Sequence, residues 1–219
     1  MDALHFCVAI APLAAYLCLL GLIHLSVRPF VTNGARDTAA LGVALLGFAV
    51  VGPMDLFMPQ ELVYRWGPGA WALLLIFYGL CLTLTVLMGR PRILIYNVTS
   101  DQLRPTLADV VSDLDKGARW AGMSLALPDL GVQLHFESND AMRIAQLSAS
   151  GPKQNALGWR TLERELRRAL AQTRSQPNPY GLALLSGAAI CVAAASIWLL
   201  ADGESLSESL AELIRVSGA

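Results

Sequence analysis

Residues 4–27, 38–58, 70–88 and 180–201 are nearly uninterrupted apolar runs, and one polar block of about 90 residues separates the third from the fourth. Runs of roughly 19 to 24 residues, wound as helices rising 1.5 Å per residue, reach across a hydrocarbon layer about 30 Å thick, where a helix satisfies its own backbone hydrogen bonds. A composition of 55% hydrophobic and 15% charged residues, with a mean hydropathy of +0.51, exceeds that of a water-soluble globular chain, and the excess is gathered into these runs. The expected fold is a membrane α-helical bundle of four transmembrane helices carrying an inserted α+β domain. The first run is expected to be retained: residues 1–6 contain no Lys or Arg, the run exceeds the apolar core of a leader, and no small-residue cleavage site follows Val27.

Basic residues near the ends of the runs set the expected orientation. Arg28 and Arg36 lie between the first two runs, Arg90 and Arg92 follow the third, and Arg168 and Arg174 precede the fourth, whereas the loop on the other side carries only Arg65. This places residues 90–176 in the cytoplasm and both termini outside the inner membrane, with the fourth helix within 177–202. The acidic amphipathic tail 203–219, with Glu204, Glu208 and Glu212 against Arg215, then lies on the outer side. Cys7, Cys18, Cys81 and Cys191 all fall inside apolar runs without a CxxC pair, and read as small apolar side chains rather than a disulfide or metal site.

The polar block has the pattern of a folded domain. Residues 92–98 (RILIYNV) are β-branched and aromatic, a strand beginning almost at the membrane. Thr99 and Gln102 have capping-box spacing, and Leu103, Leu107, Val110, Val111 and Leu114 recur on one helical face. Pro105 leaves the start open between Thr99 and Arg104 as the cap. Beyond Gly117 the period becomes two: Met123, Leu125 and Leu127, the turn residues Pro128-Asp129-Leu130-Gly131, then Val132, Leu134 and Phe136 form a hairpin. A weaker strand over 142–148 and a helix over 157–172 complete a βαβββα order, with two helices on one face of a four-stranded, mostly antiparallel sheet.

Three groups of residues are candidate sites. On the 157–172 helix, Trp159, Leu162, Leu166 and Leu170 face one way while Arg160, Arg164, Arg167 and Arg168, joined by Arg174 beyond it, occupy the rest. These arginines could meet anionic headgroups, at about 1 kcal/mol per basic residue near the surface, or stay solvated with Glu163 pairing Arg167 at i,i+4. Ala183, Gly187, Cys191 and Ala195 recur every four residues as a small-residue seam for helix packing, within the bundle or against another subunit. His5, Asp55, Glu61 and Arg65 gather toward the outer ends of the runs, either as interfacial pairs such as Asp55 with Arg65 or as a small external polar site.

The chemistry these residues exclude is broader than what they propose. His24 stands alone near the cytoplasmic end of the first run, and the middles of the other runs hold no ionisable residue, against an ion-coupled transporter. The block lacks a P-loop, GxGxxG, HExxH, GxSxG or spaced metal ligands, so no catalytic residue, metal or cofactor is expected. From Arg90 to Arg174, 12 basic residues face 9 acidic ones, and the aromatic pair of an RNA-binding sheet is missing, so no nucleic-acid partner is expected.

The runs Gly52-Pro53-Met54-Asp55-Leu56-Phe57-Met58-Pro59 and Arg90-Pro91-Arg92-Ile93-Leu94-Ile95-Tyr96-Asn97-Val98, with Arg119-Trp120-Ala121-Gly122 and Leu127-Pro128-Asp129-Leu130-Gly131-Val132-Gln133-Leu134-His135, resemble an uncharacterised group of bacterial four-helix inner-membrane proteins. That resemblance covers about half the chain and implies no activity and no site residue. The leading expectation is a non-enzymatic scaffold or accessory subunit whose domain binds a partner protein or itself, stiffly joined to the third helix through Arg90-Pro91-Arg92. The alternative is a small transport or sensing module binding a lipid-like or hydrophobic ligand in the bundle, and a third is a membrane enzyme using Asp55 and Glu61.

Overall fold

A computed structural model describes residues 3–57, 68–152 and 154–201. In chain order the elements are α1 (Ala3–Leu25), β1 (Phe30–Asn33), α2 (Gly34–Phe57), α3 (Pro68–Met88), β2 (Arg92–Tyr96), α4 (Ser100–Leu114), β3 (Arg119–Ala121), β4 (Ser124–Leu127), β5 (Val132–Asn139), β6 (Ile144–Ala149), α5 (Ala156–Ala171) and α6 (Tyr180–Ala201). Among the described residues three helices are long and apolar enough to cross a membrane, over His5–Leu25, Gly34–Gly52 and Tyr180–Ala201, and Ala72–Met88 is a shorter apolar stretch within α3. The chain divides into two compact units. One takes Met1–Leu19, Ala40–Thr83 and Leu184–Ala219, the other Leu20–Ala39 and Leu84–Ala183.

The helical unit is packed through small residues. Pro12 lies inside α1, so the carbonyl of Val8 loses its usual helical donor. Gly47 of α2 sits against the carbonyls of Val8 and Ala9, where a Cβ would come within 2.9 Å of the Ala9 carbonyl carbon. Gly42 packs on the Leu82 side chain, and the Tyr78 hydroxyl donates to the Gly42 carbonyl at 2.6 Å. Outward, α3 and α6 expose Ile76, Phe77, Leu80, Ile190 and Ile197.

The second unit is built on a six-stranded antiparallel sheet in the order β1-β2-β6-β5-β4-β3. Two strands exceed the four expected. Phe30-Val31-Thr32-Asn33, in the short connection between α1 and α2, pairs with β2 from Phe30↔Tyr96 to Asn33↔Ile93; four residues carry little propensity of their own, and the neighbouring strand supplies it. Arg119-Trp120-Ala121 folds back on β4 through a two-residue turn whose first residue, Gly122, has φ +63°, a conformation that glycine adopts without steric cost.

Alternation along the central strands decides which face is buried. Val31, Ile93, Ile95, Leu125, Leu127, Val132, Leu134, Phe136, Ala145 and Leu147 form one core with Leu103, Leu107, Val110 and Val111 of α4 and Trp159, Leu162, Leu166 and Leu170 of α5. Helix α4 starts at Ser100, with Thr99 as its N-cap residue, but the Thr99 side chain makes no capping bond. Its place is taken from across the sheet: Asp140 accepts the Ser100 N–H and the Ser100 hydroxyl, both at 2.8 Å. At the other end Asp115, 1% exposed, accepts the N–H groups of Gly117 and Asp129 at 2.9 and 2.8 Å, with Leu130 at 3.4 Å. A buried carboxylate thereby satisfies otherwise orphaned donors and ties α4 to the β4–β5 turn.

Candidate interaction sites

The unit containing the sheet also contains the ends of the helices that feed it, and the residues joining them are polar and buried. Asn178 is 1% exposed and His24 4%. The Asn178 backbone N–H donates to the His24 carbonyl at 2.9 Å, its side-chain amide donates to the Met142 carbonyl at 2.7 Å, and its side-chain oxygen accepts the N–H of Tyr180 at 3.1 Å. The imidazole of His24 lies 3.4 Å from the Asn178 amide nitrogen and meets the Tyr96 ring edge-on at 5.7 Å. Tyr96 in turn donates its hydroxyl to Asp37 at 2.7 Å. Ser175 N–H donates to the Val27 carbonyl at 2.8 Å, and Asn97, fully buried at φ +62°, donates its amide to the Ser26 carbonyl. One side chain in this network, Asn178, therefore fastens the linker before α6 to α1 and to the β5–β6 turn together.

The basic face of α5 is not a uniform patch. Arg167 bonds Glu163 at 2.7 Å, the i,i+4 pair, and also the Val31 carbonyl at 3.2 Å. Arg164 and Arg168 share Glu165 at 3.0 and 2.8 Å, and the two guanidinium groups hold its carboxyl below the ordinary range. Arg174 is exposed in the segment after the helix, and Arg160 at its other end is exposed without an acidic partner among the described residues. Three of the five arginines are thus paired with the two glutamates of their own helix, which leaves one net positive charge among them.

Of the small-residue seam, Gly187, Cys191 and Ala195 are half-buried and Ala183 is exposed. A Cβ added at Gly187 would lie about 4.0 Å from the Leu17 side chain, and the Cys7 thiol is 3.8 Å from the Ala195 carbonyl. A tighter approach in that unit is made by Gly47 against the α1 backbone, which no four-residue repeat announces. Of the external group, His5 is exposed in α1 and Asp55 is placed by its backbone in the last turn of α2, while Glu61 and Arg65 lie outside the described residues.

Two further constellations appear only in three dimensions. On the open face of the sheet Ser124 stands opposite His135 in the β4–β5 register, with the hydroxyl 3.1 Å from His135 Nδ1 and Glu137 3.9 Å from Nε2. This has the order of a Ser-His-Glu relay, but the strand alternation puts it on an open surface, with His135 41% and Glu137 62% exposed, where nothing excludes water or stabilises an oxyanion. A groove of about 640 Å³ beside the β4–β5 turn is walled in part by Gln133, Gln154 and Asn155. Gln154 bonds Gln133 through its main-chain oxygen and N–H and also takes the Trp159 indole N–H, so its amide is already occupied. Among the described residues no group of three or more His, Cys, Asp or Glu could hold a metal ion. Comparison with known proteins finds no matching family, no matching curated protein and no matching solved structure.

Proposed function

We propose that the chain is a non-enzymatic scaffold or accessory subunit of a bacterial inner membrane, crossing it four times with both termini outside, and that residues 90–176 hold a partner protein or a second copy on the cytoplasmic side. The observation that carries this reading is the way the sheet is mounted. Strand β1 sits between α1 and α2, β2 follows α3 after three residues, and the linker before α6 is bonded through Ser175 and Asn178. A domain joined by flexible linkers moves freely by default; here the ends of the helices belong to the same compact unit as the sheet, which suits a surface that holds a partner.

The surface best placed for this is the β3 edge. That strand is bonded on one side to β4, all three of its residues are exposed, and Trp120 is 44% exposed. An open edge with an aromatic side chain supports strand addition with a ready anchor. A photo-crosslinking residue placed at Trp120 or Gln133 in intact membranes should give one discrete protein adduct, strongest at the edge position. No protein adduct at either position overturns the reading. The orientation is checked separately by reporter fusions in the turn at 140–143 and after residue 201, expected to report opposite sides.

A further inference from the structure

Three arginines that pair with no acidic side chain among the described residues come together elsewhere. An open groove of about 750 Å³ lies where the start of α2, the end of α3, β2 and the start of α5 meet, and Arg90, Arg92 and Arg160 all line it. No acidic side chain lines it. Arg92 is laid across the first turn of α2: Gly34 has no Cβ, and one added there would stand 2.5 Å from Arg92 Nε and 2.8 Å from its Cδ. Its guanidinium donates to the Thr38 hydroxyl at 3.1 Å, a neutral acceptor. The carboxylate of the same turn, Asp37, accepts from Tyr96 instead and pairs with none of the three arginines. Three cations gathered beside the positive end of a helix repel one another unless an anion lies among them.

A second wall is of a different nature. It is formed by Thr85 and Val86 in the last turn of α3 and by Gly89 just beyond it, and the same end of the helix exposes Leu84, Leu87 and Met88. A ligand matching both walls has a doubly or singly charged oxyanion at one end and an apolar body at the other.

We propose that this groove binds a phosphate ester, held by Arg90, Arg92 and Arg160, and that its source is the headgroup of an anionic phospholipid whose acyl chains run along α3. Guanidinium forks match phosphate oxygens in geometry and charge. The lipid source rests on the membrane reading of α3 and is independent of the scaffold reading. The site goes beyond a diffuse basic face on α5, because Arg164, Arg167 and Arg168 take no part in it.

The full chain in a zwitterionic detergent, analysed by native mass spectrometry, is offered phosphatidylglycerol in one arm and inorganic phosphate in another. One tightly retained phosphatidylglycerol is expected, with binding reduced roughly fivefold in Arg160→Gln and about thirtyfold in the Arg90→Gln, Arg160→Gln pair, taking about 1 kcal/mol per arginine. The charge-matched control Arg164→Gln, Arg168→Gln should change it less than twofold. Retention of inorganic phosphate but not of lipid, with the same arginine dependence, keeps the phosphate site and overturns the lipid source. Binding in neither arm, or an equal loss in the control pair, overturns the site. Arg160 is exposed and unpaired, so its single variant remains informative if the double variant does not fold. Release of the chain from membranes by carbonate would instead refute the membrane reading and leave the arginine test standing.

Discussion

Gly158→Ala separates two opposed expectations for one residue. Glycine within a helix is disfavoured relative to alanine by about 1 kcal/mol, so on sequence grounds the change stabilises α5. The packing reverses the sign. A Cβ at Gly158 would lie 2.8 Å from Val132 Cγ2 and 3.2 Å from the Leu130 carbonyl carbon, and closer still to the Leu130 oxygen. A flexible side chain could swing away, but Leu130 belongs to the β4–β5 turn, which Asp115 holds by the N–H groups of Asp129 and Leu130. Either α5 lifts from the sheet, opening the core around Trp159 and Leu162, or the turn gives up its bonds to Asp115. Overpacking of this kind costs roughly 1 to 3 kcal/mol in a side-chain environment, and a backbone obstacle belongs at the upper end, so the net loss after the helical gain is about 2 kcal/mol. At about 4 to 8 °C per kcal/mol for a domain of 60–100 residues, thermal unfolding of the detergent-solubilised protein, followed by tryptophan fluorescence, should drop by roughly 10 °C. Adding Val132→Ala should not restore it, because the carbonyl remains. An unchanged or raised midpoint for Gly158→Ala would refute the reasoning.

Asp115→Ala strands the N–H groups of Gly117 and Asp129 in a buried site and should lower stability by about 3 kcal/mol, more than Asp115→Asn, measured by denaturant or thermal unfolding. Asp140 has its carboxyl held below the ordinary carboxylate range by the two bonds from Ser100; a depressed folded value means stability present above the unfolded value and lost as pH falls through the folded one. Melting curves of the wild type and Asp140→Asn between pH 7 and pH 3 should therefore converge at the acid end, and a gap that widens there would contradict the assignment. Gly47→Leu should disperse the helical unit, read as loss of the folded peak in detergent size-exclusion chromatography, whereas Gly187→Leu, with its nearest neighbour about 4.0 Å away, should be tolerated better.

What could be read along the chain was what depends on period. The alternation of Leu125, Leu127, Val132, Leu134 and Phe136 and the helical spacing of Leu103, Leu107, Val110 and Val111 describe their own burial. Strand β1 could not be read that way, because its four residues become a strand only beside Ile93 and Ile95. The capping of α4 was hidden for a similar reason: Asp140 is 40 residues from Ser100, and the local Thr99 cap lost to a stronger charged acceptor. The arginines were visible one by one, but their sorting was not. Charge alone marks Arg160 and Arg164 alike; the placement of Glu163 and Glu165 on the helix, and of β2 beside its start, divides them.

The polar junction bears on how the end of α1, the β5–β6 turn and the start of α6 can move against one another inside the unit that holds the sheet. A sensing module requires an element with two discrete arrangements whose balance both ends bias. Asn178 closes bonds to His24, Met142 and Tyr180 at once, which lie in α1, in the β5–β6 turn and at the start of α6. Movement of the linker before α6 would release buried amide and carbonyl groups together, and unpaired buried groups are costly. The start of α6 and the β5–β6 turn are therefore coupled as one body, and a change that reached the sheet through α6 would have to carry α1 with it. That is the behaviour of a mount, as the scaffold proposed above requires of the residues that join helices to sheet.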